Sequence, residues 1–188
     1  KAVIPVAGHG TRLEPHTLSL QKCLFPVAGK PVLEHIIDKL ININIFEITL
    51  IVGHLKDQVI QFCKKYDNVK FSFVEQKQRL GLGHAINLGL DFIDEPVIII
   101  LGDSILELDY SKFISSKTSN LGVKRVPDPH RFGIAELVDG KVISLVEKPI
   151  SPISDLALIG IYYIISQNSL KKGIEYIIDK NIQTNGEF

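Results

Sequence analysis

The feature that most restricts the fold is an alternation of short apolar runs with longer segments whose apolar residues recur at helical spacing. Val97-Ile98-Ile99-Ile100-Leu101 is an unbroken apolar run opened by Pro96 and closed by Gly102, the pattern of a strand buried on both faces. Ala2–Val6, Ile45–Val52 and Lys70–Val74 read as strands as well. Between them, Pro31–Leu40 sets Val32, Leu33, Ile36, Ile37 and Leu40 on one helical face. Leu55, Val59, Cys63 and Tyr66 repeat at the same spacing, and Gly83–Ile93 aligns Ile86, Leu90 and Ile93. Strand–helix–strand units of this kind predict right-handed crossovers and a doubly wound, mostly parallel, Rossmann-like α/β sheet.

The pattern changes after about Leu121. Ile134–Val138 and Lys141–Glu147 flank Asp139-Gly140, a dipeptide suited to the left-handed positions of a hairpin turn. Ala157–Ile165 reads as a further strand and Leu170–Ile178 as a helix. A β-hairpin-rich insertion is therefore expected to add a second wall to the parallel core. A chain of 188 residues supports one sizeable core, so residues 1–188 are read as one domain, with halves at 1–120 and 121–188.

Charge narrows the partners. The 21 basic and 21 acidic residues cancel, so no global field favours nucleic acid or an anionic membrane surface. An anionic ligand would need locally placed cations. The apolar runs fall short of the roughly 20 residues of a membrane helix, and Lys1-Ala2-Val3-Ile4-Pro5 shows no signal-peptide pattern. Cys23 and Cys63 have no metal-type spacing and make a poor disulfide framework, which points to a reduced, cytoplasmic setting. The six histidines, at 9, 16, 35, 54, 84 and 130, show no pairing typical of zinc.

In parallel sheets, ligands bind beyond the carboxyl ends of the strands, and four such places carry suggestive residues. The first is Ala7-Gly8-His9-Gly10-Thr11-Arg12-Leu13 followed by Lys22. Glycines after a strand let backbone N–H groups approach phosphate, and Arg12 adds a planar fork suited to its oxygens. The loop lacks the third glycine of a dinucleotide fingerprint and the Lys-Ser/Thr ending of a P-loop. The second place is Gln76 with Gly81-Leu82-Gly83-His84-Ala85, where an amide could meet a base edge; read alone, these are also a strand-end amide and a loop glycine. The third is Asp103 after Leu101-Gly102, placed to meet Mg2+ together with substrate phosphates, or else to cap a turn. The fourth is Gly133 with Glu147-Lys148-Pro149, a tripeptide that could equally be a surface ion pair.

Two linked strings carry a resemblance. Gly8-x-Gly10-Thr11-Arg12-Leu13-x-Pro15-x-Thr17, then Lys22-x-Leu24-x-Pro26-Val27-x-Gly29-Lys30-Pro31, are similar to the signature of the sugar-1-phosphate nucleotidylyltransferases, notably the thymidylyl and uridylyl branches that act on glucose 1-phosphate. The likeness runs from Ala2 to Phe188. It implies that the glycine loop wraps a nucleoside triphosphate, with Arg12 and Lys22 holding phosphate charge. Gln76 and Gly81 would receive the base, and Asp103 would hold Mg2+. Glu147 would accept sugar hydroxyls and Lys148 would hold the sugar phosphate. Asp128-Pro129-His130-Arg131-Phe132-Gly133 resembles the loop over the sugar, and Ala157–Tyr162, with Gly160, the strand at the far side of that pocket.

The expected activity is transfer of a nucleotidyl group to a sugar 1-phosphate with release of pyrophosphate. Arg12, Lys22, Asp103 and Lys148 would be the catalytic residues and Mg2+ the cofactor. Gln76 and its spacing to Gly81 resemble the thymidylyl and uridylyl branches, which implies dTTP or UTP, and Leu158 stands where the N-acetylglucosamine enzymes of the family tend to have Asn, which implies glucose 1-phosphate. The resemblance also implies that the family continues past Asn185-Gly186-Glu187-Phe188 with a second metal-binding Asp. A homo-oligomer is compatible with the sequence. The rival reading is a non-catalytic regulatory or nucleotide-sugar-binding subunit of the same fold, which would be marked by loss of the Arg, Lys or Asp. A metal-dependent glycosyltransferase would want Asp-x-Asp, and Asp103-Ser104-Ile105 departs from it.

Overall fold

A computed structural model describes every residue of the chain except Phe92, Asp94 and Asn185. The end of the expected 83–93 helix and the terminal Asn-Gly-Glu-Phe segment each include one of these, and to that extent lie outside the described residues.

The chain opens with β1 (Ala2–Pro5), followed by the glycine loop and a small hairpin of β2 (Pro26–Val27) and β3 (Lys30–Pro31). Then come α1 (Val32–Asn42), β4 (Glu47–Val52), α2 (Lys56–Cys63), β5 (Lys70–Glu75), α3 (Leu82–Leu90) and β6 (Val97–Ile100). The second half contributes α4 (Tyr110–Ile114), β7 (Asn120–Arg125), β8 (Gly133–Val138), β9 (Lys141–Glu147), β10 (Leu156–Ile164) and α5 (Gln167–Asp179).

The main sheet has eight strands in the order β5-β4-β1-β6-β10-β8-β9, with β7 also paired to β10. β5, β4, β1 and β6 are mutually parallel, in register Ala2↔Ile48 and Ala2↔Ile98 about β1. β10 runs antiparallel to β6, β7 and β8, and β8 antiparallel to β9. The sheet is thus mixed and mostly parallel in strand direction, as the alternation predicts. One expectation is refined. The hairpin-rich half is no separate wall, because β10 returns to β6 and extends the same sheet.

Strand alternation explains the layering. On one face, Ala2, Ile4, Ile48, Leu50, Ile98 and Ile100 pack against α1, α2 and α4. On the other, Val3, Ile51, Val97 and Ile99 pack against Ala85, Ile86 and Leu90 of α3 and Ile174 of α5. Each side of the core thus uses every second residue of the same strands. This doubly covered core holds the carboxyl ends of β1 and β6, and β5, the edge strand paired to β4, adds the third end, so three loops start from neighbouring points of one sheet.

The hairpin behaves differently. Asp139 and Gly140 take φ of 50° and 73°, the pair of left-handed positions a two-residue turn requires. Along β9, Val142, Ile143, Leu145 and Val146 remain exposed. Four elements escaped the sequence reading: the short strands β2 and β3, α4 and β7. α4 is only five residues long and starts where Asp109 Oδ1 accepts from the Lys112 amide at 2.9 Å. β7 contains Gly122, whose missing side chain admits Ile159 and Ile161 of β10.

Candidate functional site

Three loops at the carboxyl ends of β1, β5 and β6 enclose a cleft of about 460 Å³. The first is the glycine loop. At Gly10 φ is 67°, and a Cβ there would lie 2.9 Å from Thr17 Cγ2, so the position favours glycine on both backbone and steric grounds. Buried Thr17 ties the loop down by donating from Oγ1 to the Gly10 carbonyl at 3.1 Å.

Gln21 ties it more firmly. Its side chain is 1% exposed. Nε2 donates to the carbonyls of Val6 and, at 3.4 Å, Gly8, while Oε1 accepts from the Cys23 amide at 2.6 Å. The Gln21 amide itself donates to Gln58 Oε1 at 2.9 Å. The loop's carbonyls are thereby engaged from behind. Among the described residues, the backbone N–H groups of Gly8, His9 and Gly10 donate no hydrogen bond. A row of unspent donors on a rigid turn is the backbone half of a phosphate site.

Side chains supply the charges. Arg12 and Lys22 line the cleft from the first loop and Asp103 from the third. Lys22 Nζ is ion-paired with Asp103 Oδ2 across 81 residues of sequence. Asp103 reaches this position because β6 is clamped beside β1. The Gly102 amide donates to the Pro5 carbonyl at 3.2 Å, and Val6 occupies the space of the Gly102 side chain.

The second loop presents Gln76 and Gly81. Gln76 Nε2 donates to the Gly81 carbonyl at 3.0 Å and meets His84 Nδ1 at 3.0 Å. Both amide hydrogens are therefore used within the protein, leaving Oε1 as the group able to accept from a ligand. Gly81 takes φ of 98°, and a Cβ there would come 2.6 Å from the Phe188 carbonyl oxygen. Phe188 in turn accepts from the Gly83 amide at 2.7 Å.

Ala7, Gly8, Gly10, Thr11, Arg12, Lys22, Gln76, Gly81 and Asp103 thus share one cleft. Gly133, Glu147 and Lys148 do not line it; they form a second cluster across β10. Glu147 pairs with Gly133 across the hairpin, and its Oε2 would lie 3.0 Å from a Gly133 Cβ. Lys148 Nζ stands 3.3 Å from Glu147 Oε1, and the Lys148 amide donates to the Phe132 carbonyl at 3.0 Å. Leu158 closes against Gly133, 3.2 Å from where its Cβ would be. Tyr162 belongs to the same surroundings: burial first, then the Glu147 charge, pushes its hydroxyl pKa up.

Gly160 is the seam between the two clusters. Its carbonyl accepts from the Leu101 amide at 2.9 Å. At φ 82° its missing side chain makes room for Leu101 and Ser104. The segment carrying Asp103 therefore rests on the strand that leads to Leu158.

Sequence reasoning missed Gln21, Arg79 and Glu187. Arg79 and Glu187 line the cleft; Arg79 was detectable as a cation between Gln76 and Gly81, whereas Gln21 had no signal short of its burial. Cys23 and Cys63 are free and buried. Desolvation raises both thiols, Cys63 to about 12 and Cys23 higher, so neither is a reactive thiolate near neutral pH. No described helix is long and apolar enough to cross a membrane.

As for a metal, no group of three or more His, Cys, Asp and Glu suited to an ion occurs among the described residues. Asp103, a carboxylate lining the same cleft as the phosphate-type loop, fits a hard cation that takes most of its oxygens from substrate and water.

Comparison with known proteins identifies the family. Residues 1–177 match the family described as nucleotidyl transferase (NTP_transferase). A bifunctional protein GlmU of Methanococcus vannielii is 42% identical over 149 residues, covering 79% of this chain and 35% of the relative. A glucose-1-phosphate thymidylyltransferase of Streptomyces griseus is 37% identical over 171 residues, covering 86% of this chain and 48% of the relative. The chain therefore spans between about a third and a half of these curated relatives. A crystal structure described as a glucose-1-phosphate thymidylyltransferase of Bacillus anthracis, with sucrose, superposes at TM-score 0.83 and 31% identity, covering 98% of this chain and 76% of that one.

Proposed function

Because the chain belongs to the nucleotidyl transferase family, we propose that it forms the catalytic domain of a sugar-1-phosphate nucleotidylyltransferase, taking dTTP or UTP and glucose 1-phosphate and releasing pyrophosphate. The observation that carries this reading is the union, in one cleft, of unspent loop N–H groups with Arg12, Lys22 and Asp103.

The chemistry follows from charge. A phosphate monoester has a second pKa near ~6 and is largely dianionic at pH 7, so the sugar phosphate needs no general base. Its oxygen attacks the α-phosphorus, the bond to the β-phosphate bridging oxygen breaks, and pyrophosphate leaves with that electron pair. Repulsion between two polyanions is the obstacle, so the protein's contribution is positioning and neutralisation.

The glycine loop and Arg12 would hold the triphosphate, and Lys22 would neutralise the leaving end. Gln76 Oε1 would accept the imino N–H of a pyrimidine, which both dTTP and UTP offer. Glu147 would accept sugar hydroxyls, Lys148 would orient the attacking phosphate, and Leu158 would give the pocket an apolar wall consistent with glucose. Asp103 would hold Mg2+ together with substrate phosphates; when bound, the ion supplies charge neutralisation at the triphosphate. Residues 1–120 would serve the nucleotide and 121–188 the sugar phosphate, with Glu187 returning to line the nucleotide cleft.

The test is pyrophosphate release on incubation with Mg2+, glucose 1-phosphate and each nucleoside triphosphate in turn. Release fastest with dTTP or UTP is the expected result. No release with any common sugar phosphate, alongside retained nucleotide-sugar binding, would favour a regulatory binding module.

A further inference from the structure

One residue of the glycine loop has no role so far. His9 sits between Gly8 and Gly10, lines the cleft, and stacks on His54, with ring centroids 4.0 Å apart and 22° between planes. His54 comes from the loop after β4 and is fixed: its Nε2 lies 2.9 Å from the Thr17 carbonyl. Thr17 is the residue that ties down Gly10. The His54 ring is therefore a platform locked to the same strut as the loop it supports. Arg79 approaches from the loop after β5 and also lines the cleft.

Stacking two imidazoles beside a guanidinium concentrates potential positive charge at one end of the cleft. Among the described residues, Arg12 and Arg79 enter no salt bridge. Burial, then His54, then Arg79 push the His9 pKa below its ordinary value, and only Glu14 opposes them. Burial disfavours any charge there, but the His54 and Arg79 contributions are positive charge, and that part of the environment would attract an anion.

We propose that His9 and Arg79, with His54 as the positioning platform, form a subsite for the far end of the polyphosphate: the terminal phosphate of the triphosphate before reaction and pyrophosphate after it. The inference rests on the nucleotidyl-transfer reading. An anion on the N–H groups of Gly8 and Gly10 lies beside the residue between them. Its negative charge reverses the local potential, so His9 takes up a proton from solvent as the ligand arrives. The sign follows. The added affinity appears as pH falls through the ligand-bound pKa of His9. It stops growing below the ligand-free pKa, where His9 is already protonated.

The test is calorimetric titration in Mg2+ buffers of differing ionisation heat, with inorganic pyrophosphate, dTTP and dTMP as probes. His9→Phe keeps a flat ring on His54 but carries no proton; His9→Ala removes both. The wild type should show more proton uptake with pyrophosphate near neutral pH than His9→Phe, a difference from which the ligand's own titration cancels. His9→Phe should weaken pyrophosphate and dTTP about tenfold and leave dTMP within twofold, with an unchanged melting temperature. Arg79→Gln should weaken the same two ligands several-fold. His54→Ala should do so while His54→Phe restores binding, as expected of a platform.

Unchanged pyrophosphate affinity and proton uptake in His9→Phe would overturn the subsite and leave the nucleotidyl-transfer reading standing. An equal loss of dTMP affinity would overturn it too, making the stack a platform for the base or a strut for the loop. A wild type that binds none of the three probes would remove the nucleotidyl-transfer reading, and this inference with it.

Discussion

The two halves of the sheet make opposite use of their strands. In β6 every residue is buried, because helices cover both faces. In β9 almost every residue is exposed, apolar ones included. The first half can therefore fix three loops about a cleft, as the buried Gln21 and the clamp at Gly102 illustrate. The second half carries Glu147 and Lys148 at the end of a strand covered on few sides, and Gly160 is a seam between that strand's neighbour and the cleft. Rigid support and adaptable reach are divided along the sheet.

The largest expected effect tests the core side of that contrast. Ile99 is 1% exposed and Ile143 58%. Ile99→Ala should cost ~2–5 kcal/mol in urea unfolding, and Ile143→Ala under about 0.5 kcal/mol; equal losses would erase the distinction between the halves. Next comes the division of labour. Arg12→Ala should lower turnover and Lys148→Ala should raise the sugar-phosphate KM, each about tenfold to a hundredfold. Saturation curves with the two assignments exchanged would break the split between nucleotide and sugar halves.

Two glycines sharpen the view of the seam. Gly160 and Gly140 both have positive φ, but a Cβ at Gly160 would meet Ser104 Oγ at 2.9 Å while one at Gly140 would meet open space. Gly160→Ala should cost ~1–3 kcal/mol and impair catalysis through Asp103. Gly140→Ala should cost about 1 kcal/mol with kinetics unchanged. The smallest effect belongs to the exposed Arg125–Asp155 pair, at 2.6 Å. Asp155→Ala should shift stability by at most ~1 kcal/mol, and less in high salt.

Much of the parallel half was legible because burial on both faces leaves unbroken apolar runs, as in Val97–Leu101, and helices between them show 3.6-residue spacing. The hairpin was legible from Asp139-Gly140 between the runs Ile134–Val138 and Lys141–Glu147. What stayed hidden depends on tertiary context. The apolar run of β7 is interrupted in sequence by Gly122, whose place in the strand makes sense once Ile159 and Ile161 are seen to fill the space of its side chain. α4 combines a cap at Asp109 with a single apolar turn of Tyr110, Phe113 and Ile114, too short to show a repeating period. At the site, the residue types could be read from the loops, but not their separation into two clusters. That separation is set by β10 inserting between β6 and β8, a choice of strand order that no local pattern records. Gln21 escaped for the same reason, since an amide reveals its role only once three backbone groups surround it.

That amide has a further consequence. With Val6, Gly8 and Cys23 all tethered to one buried side chain, the glycine loop acquires its curvature as the chain folds, before any phosphate arrives. A guest entering such a cradle finds its donors already aimed and sacrifices little additional freedom of the host. Shortening Gln21 would leave the donors in the sequence and take away their common aim, turning a preset receptacle into one that each arriving ligand would have to shape for itself.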